Sequence, residues 1–147
     1  MSKVIAPTIR DLTADEAHAF LRTATVGRVA FSLHDRVDIA PVNYVSDGEW
    51  IFGRTSNGAK LSKLLHNPWC AVEADEVHGL FEWTSVIVKG TFALLDAKGG
   101  SPDTYQRAER LLVALVPGTF SVRDPAPQRS LVFGIFIREI SGRSSRP

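Results

Sequence analysis

The stretch FEWTSVIVKGTFALL, residues 81–95, constrains the fold more than any other part of the chain. Its β-branched and aromatic side chains fit a pleated, half-buried surface and crowd a helix. Gly90 interrupts the run and predicts a bulge or bend. LVFGIFIREI at 131–140 is apolar on successive residues, so it reads as a strand covered on both faces, central or at an interface. A sheet with two apolar faces must bury both, which favours an antiparallel sheet closed on itself.

The other elements fit that plan. From Val26, the residues Val29, Phe31 and Leu33 alternate with Arg28, Ala30 and Ser32, the period of a half-buried strand. VDIAPVNYV at 37–45 predicts the next strand, with Pro41 marking an edge, a bulge or a special site. Asp47-Gly48 then predicts a hairpin turn into Trp50, Ile51 and Phe52, and residues 69–75 form a further strand. Thr13-Ala14-Asp15-Glu16 has the form of a capping box and opens a helix reaching Arg22. Leu61, Leu64 and Leu65 place a helix over 59–66, ended by Asn67-Pro68. Ser101 as cap and Pro102 as first residue open a third helix, with Ala108, Leu111, Leu112 and Leu115 on one face. Pro117-Gly118 ends it, and a polar loop with Pro125 and Pro127 leads to the last strand. The tail SGRSSRP, 141–147, reads as disordered. The expectation is one mainly β domain over residues 1–147, a six-stranded antiparallel β-barrel with short peripheral helices.

Charge narrows the partners. Seventeen basic and 16 acidic residues are mixed along the chain for a net +1, so no strong field favours nucleic acid or an anionic membrane. No run approaches the roughly 18 apolar residues of a membrane span, and the N-terminus lacks a leader's apolar core, which predicts a cytoplasmic protein. A lone cysteine, Cys70, excludes an intrachain disulfide. His18, His34, His66 and His78 lack metal-site spacing, so no metal is expected. No nucleophile elbow or zincin motif occurs, and Glu73, Asp75, Glu76 and Glu82 around His78 read as a solvated hairpin end. No side chain is assigned as a catalyst.

The sharpest candidate site is GRTSNGAK, residues 53–60. It nearly spells a P-loop, but Ala59 separates Gly58 from Lys60, Leu61 replaces the hydroxyl, and the context is not parallel α/β. A strand running into a helix start still offers unpaired amides and about half a positive charge to a phosphate. Arg54, Thr55, Ser56 and Lys60 would add two cations and two hydroxyls. The plainer alternative is that Ser56 or Asn57 caps the helix while the cations sit in water.

GRVAFS at 27–32, APVNYV at 40–45, GRTSNGAKL at 53–61 and WTSVIVKG at 83–90, in that order, resemble the pyridoxamine 5'-phosphate oxidase-like family of FMN-binding split β-barrels. The resemblance implies a homodimer with FMN at its interface. Arg54, Thr55, Ser56 and Lys60, with Leu61 in the same segment, would hold the phosphate; Val42, Asn43 and Tyr44 would run beside the isoalloxazine. Trp83, Ser85 and Val86 would line the pocket from the same or the partner subunit. Two departures matter. Vitamin B6 oxidases of this family are longer and end in a substrate-binding arginine motif where this chain has SGRSSRP, which argues against B6 oxidation. The nitroimidazole-resistance branch is similar in its GR-x-AFS and PVNYV segments but carries a histidine where this chain has Arg54. The function implied is hydride transfer from a reduced nicotinamide through flavin to a small electron-poor acceptor. The alternatives are a deazaflavin (F420) enzyme or a flavin- or haem-binding protein without turnover.

Overall fold

The structure, a computed structural model, describes residues 6–147. In chain order the elements are β1 (Thr8–Asp11), α1 (Ala14–Thr23), β2 (Val26–Leu33), β3 (Arg36–Asn43), β4 (Val45–Ser46), β5 (Trp50–Thr55), α2 (Ala59–His66), β6 (Trp69–Gly79), β7 (Glu82–Leu95), α3 (Pro102–Leu115) and β8 (Leu131–Arg146). The strands form one antiparallel sheet of eight in the order β3-β2-β6-β7-β8-β5-β4, and β1 pairs with the far half of β8. Because β3 and β4 are the two ends of this path, the sheet curls without closing.

The mainly β, antiparallel class follows the sequence reading; the expected closure of the sheet on itself does not, because β3 and β4 do not pair, and three further details depart from it. Eight strands replace six because β1 and the two-residue β4 carry no hydrophobic period of their own. The run expected as one strand over 37–45 breaks at Tyr44, whose amide donates to the Thr25 carbonyl (3.0 Å). The tail is not disordered: β8 continues to Arg146, and Ser144 and Ser145 are 3% and 0% exposed. Its backbone pairs with β7 on one side and β1 on the other, and the Ser145 hydroxyl donates to the Phe81 carbonyl (2.9 Å). A polar composition cannot reveal such a strand, since backbone partners rather than apolar burial order it.

Inward side chains of the curled sheet meet in one core. Val29 and Phe31 of β2, Val72 of β6, Val88 and Phe92 of β7, and Phe133 and Ile135 of β8 pack with Leu21 of α1 and Leu64 of α2. Full burial of each such side chain contributes about 1.5–3 kcal/mol relative to exposure. On the opposite face, Phe52 and Val132 lie beneath Ala108 and Leu112 of α3, so β5 and β8 are covered on both sides, as LVFGIFIREI implies. α1 carries its capping box, with the Glu16 amide donating to Thr13 Oγ1 (3.2 Å) and the Thr13 amide to Glu16 Oε1 (3.0 Å). α3 begins with Pro102 as expected, but the Ser101 side chain makes no capping bond.

Gly90 sits where the β7–β8 register shifts, confirming the bulge. A Cβ at this position would land on the Phe136 carbonyl oxygen and 2.9 Å from Ile135 Cγ2. The bulge therefore needs a residue without a side chain. Gly90→Ala is predicted to destabilise the fold by about 1–3 kcal/mol, typical of overpacking. Urea unfolding checks this; an unchanged midpoint would show that the neighbouring strand yields freely.

Candidate functional site

The seam where the sheet fails to close is also where the candidate residues meet. β4 covers β5 only at Ile51 and Phe52, leaving residues 53–55 with no strand on that side. β3, the opposite end of the sheet, turns its free edge toward them. The two edges approach without pairing: a Cβ on Gly53 would lie 3.2 Å from the Asn43 carbonyl oxygen. Along this seam, under the start of α2, runs a cleft of about 240 Å³ lined by residues 41–43, 54–56 and 58–61 and by Arg129.

The plainer alternative, a helix capped by its own side chains, does not hold. Gly58 is the cap residue of α2, and neither Ser56 nor Asn57 caps it. The first-turn amides are therefore available to a ligand. Lys60 stands half-buried beside them, its pKa lowered by burial and by the nearby Arg129 guanidinium. Among the described residues neither Lys60 nor Arg129 forms an ion pair. Two unpaired cations facing a set of free amides raise each other's electrostatic cost, and an anion between them removes it. Val42 and Leu61, both buried, add apolar surface to the cleft.

The remaining candidates divide. Ser56 is exposed on the cleft, while Thr55 is 6% exposed and its hydroxyl already donates to the Ser56 carbonyl (3.2 Å). Asn43 borders both the cleft and an adjoining chamber of about 150 Å³ walled by Leu112, Leu115, Val116 and Pro125. Arg54 borders both as well, but its guanidinium is engaged: it donates to Asp124 Oδ1 (3.2 Å) and Oδ2 (2.6 Å) and to the carbonyls of Arg129 (2.9 Å) and Ala126 (3.0 Å). Tyr44 turns away from the cleft into the core, where its hydroxyl donates to the Leu21 carbonyl (2.9 Å) and burial raises its pKa. Trp83, Ser85 and Val86 lie on β7, and none lines the cleft. Val86 is fully buried in the core, and the Ser85 hydroxyl donates to Glu73 Oε2 (3.1 Å).

Arg129 is the site residue that sequence reasoning missed. It sits in PAPQRS, which has no periodicity, and only the fold of the loop after α3 carries it to Lys60. The acidic run is more structured than a solvated hairpin end. Arg28 bridges Glu73 (3.2 Å) and Asp75 (3.3 Å), and the Glu73 carboxyl is pushed up by burial and then by Asp75. Glu76 and His78 pair at the surface (2.9 Å). Burial pushes the Cys70 thiol up to about 12, which leaves no thiolate at neutral pH. Among the described residues no carboxylate, histidine or cysteine lines the cleft, so what it offers is the binding and orientation of an oxyanion, with Lys60 as its titrating amine.

A family model described as pyridoxamine 5'-phosphate oxidase matches residues 13–144. The chain belongs to the pyridoxamine 5'-phosphate oxidase family. Among solved structures, this family member is similar to an FAD-binding protein of Mesorhizobium loti, with a TM-score of 0.79 and 23% identity over 97% of this chain and 100% of the other. The FAD and haem binding protein of Mycobacterium smegmatis matches with a TM-score of 0.68 and 17% identity over 93% of this chain and 74% of the other. A candidate 5-nitroimidazole antibiotic resistance protein of Bacteroides thetaiotaomicron gives 0.68 and 12% identity over 99% and 95%. At these identities the likeness establishes the fold. In sequence, protein RA0666 of Rhizobium meliloti is 24% identical over 92 residues, 63% of this chain and 61% of its own length.

The unpaired state of Lys60 makes a direct prediction. Its lowered pKa means that its charged form disfavours the fold at neutral pH, a cost that fades as pH rises from that lowered value toward the ordinary lysine range near ~10.4. Lys60→Met should therefore leave the melting temperature of the ligand-free protein unchanged or raise it. A clear fall in melting temperature would mean that Lys60 holds a structural partner.

Proposed function

We propose that the cleft holds the phosphate of a flavin nucleotide, FMN, and that the protein is a flavin-dependent oxidoreductase. The observation that carries this reading is the unpaired Lys60–Arg129 pair facing the uncapped start of α2, on a seam with apolar walls. The names of the Mesorhizobium and Mycobacterium neighbours, which bind FAD, support a flavin of some kind. A bound flavin supplies hydride-transfer chemistry, from a reduced nicotinamide to a small electron-poor acceptor. The chain's own residues bind and orient. Lys60, Arg129, the Ser56 hydroxyl and the first amides of α2 hold the phosphate, each charge-assisted hydrogen bond contributing on the order of 1.5–3 kcal/mol. Val42 and the free edge of β3 offer an apolar wall with backbone donors to a flat ring.

Trp83 and Ser85, away from their own cleft, belong to a pocket only if a second copy brings them there. A homodimer is therefore part of the proposal. Val37, Ile39 and Trp69, 75%, 69% and 59% exposed, provide apolar surface on the β3–β2–β6 face that a partner subunit would cover.

Absorption spectroscopy and mass analysis of the released cofactor test the reading directly. Flavin bands and the mass of FMN are expected. A deazaflavin spectrum would favour the F420 reading, and a Soret band a haem carrier. A colourless protein that takes up no flavin on titration overturns the proposal. FMN affinity should weaken above neutral pH, beginning below the ordinary lysine range as Lys60 loses its proton, and Lys60→Met should both remove that step and weaken binding about 10- to 100-fold. Gel filtration should give a dimer; a monomer that binds flavin fully would remove the shared-pocket assignment of Trp83 and Ser85.

A further inference from the structure

Among the side chains of the cleft, Arg54 has the most partners within the protein. Its guanidinium grips Asp124 with two bonds, takes the carbonyls of Ala126 and Arg129, and lies 4.8 Å from the centroid of the Phe120 ring. All of these partners belong to one segment, the irregular loop between α3 and β8. The pair is well shielded from water, with side-chain exposures of 10% for Arg54 and 4% for Asp124. Asp124 in turn organises the loop from within, accepting from the Phe120 amide (2.8 Å) and the Ala126 amide (2.9 Å). Burial alone would raise its pKa, but these two amides and Arg54 outweigh it and hold the carboxyl below its ordinary range.

The consequence lies at the far end of the same loop. Arg54 Nε donates to the Arg129 carbonyl, so the backbone that presents the Arg129 side chain beside Lys60 is tied to β5 by this guanidinium just before the β5–β8 pairing begins at Leu131. With four of its five N–H groups used, the guanidinium has little donor capacity left for a ligand, since each N–H is directional and the bidentate carboxylate uses the fork best suited to a phosphate. We propose that Arg54 is a positioning residue: with Asp124 it latches the 116–130 loop onto β5 and thereby sets Arg129 as the second anion-binding cation. This assignment rests on the anion-site reading for its binding arm and on geometry alone for the latch itself. It also gives the departure from the histidine-bearing branch a physical role, since a histidine has too few donors to make these four bonds at once.

The decisive variant is Asp124→Ala, because the two roles for Arg54 predict opposite signs. If Arg54 contacted the anion directly, removing its carboxylate partner would free the guanidinium and tighten FMN binding. If it is a latch, Asp124→Ala releases the loop and weakens FMN binding about tenfold, the loss of one charged contact. Arg54→Met should weaken binding similarly, and the double variant Arg54→Met/Arg129→Met should bind no worse than Arg129→Met alone, because the latch acts only through Arg129. Additive losses, or tighter binding by Asp124→Ala, overturn the proposal. A second arm needs no ligand: trypsin should cut after the exposed Arg123 about tenfold faster in Arg54→Met, which leaves the cleavage sequence intact, than in the unmodified protein. If the unmodified protein binds no FMN, the flavin reading fails while the latch stands or falls on this cleavage rate, and unchanged cleavage overturns it.

Discussion

Everything in this protein is arranged around β8. It pairs with β7 along most of its length, with β5 over Leu131–Phe136 and with β1 over Arg143–Arg146, so three separate segments find their register on one strand. Its apolar first half is covered by the barrel core on one side and by α3 on the other. Its polar second half is held by backbone pairing. A strand used in this way leaves few degrees of freedom elsewhere: once β5 and β7 are placed on β8, the ends of the sheet and the gap between them are determined.

That gap is the functional opportunity. A closed barrel would satisfy every strand edge and leave no bare backbone to meet a ligand. Here β4 stops after two residues, β5 continues uncovered, and β3 approaches without pairing. The seam therefore offers free backbone groups, the open start of α2 and two unpaired cations in one place. Stability is withheld at each of these points. Burial and the neighbouring Arg129 guanidinium lower the affinity of Lys60 for a proton, and α2 lacks a side-chain cap. A protein selected for stability alone would pair or remove them, and such unsatisfied groups concentrate where a ligand completes them.

The GRTSNGAK segment shows how far local sequence reaches. Its strand, its turn and its helix form where the pattern places them, and Ser56 and Lys60 do face a common cleft. Its two other candidates are used differently. The Thr55 hydroxyl bonds to the neighbouring backbone, and Arg54 spends its guanidinium on a loop some seventy residues away in the chain. The resemblance puts Tyr44 beside the ring, but its side chain turns into the core, where the hydroxyl donates to the Leu21 carbonyl near the end of α1.

The sequence by itself determined what depends on near neighbours. The strand periodicities, the Asp-Gly hairpin, the capping box of α1, the bulge at Gly90 and the antiparallel class all follow from propensities and patterns within a few residues. The resemblance of four ordered segments was enough to identify the family. Tertiary structure decided what depends on which distant segments meet. It turned the SGRSSRP tail into a paired strand, opened the barrel at the β3–β5 seam, brought Arg129 to Lys60, and drew Arg54 toward Asp124. The physical reason is common to all four. Backbone pairing and charge satisfaction act between groups far apart in the chain, and no local pattern of apolar and polar residues records which partner each will find.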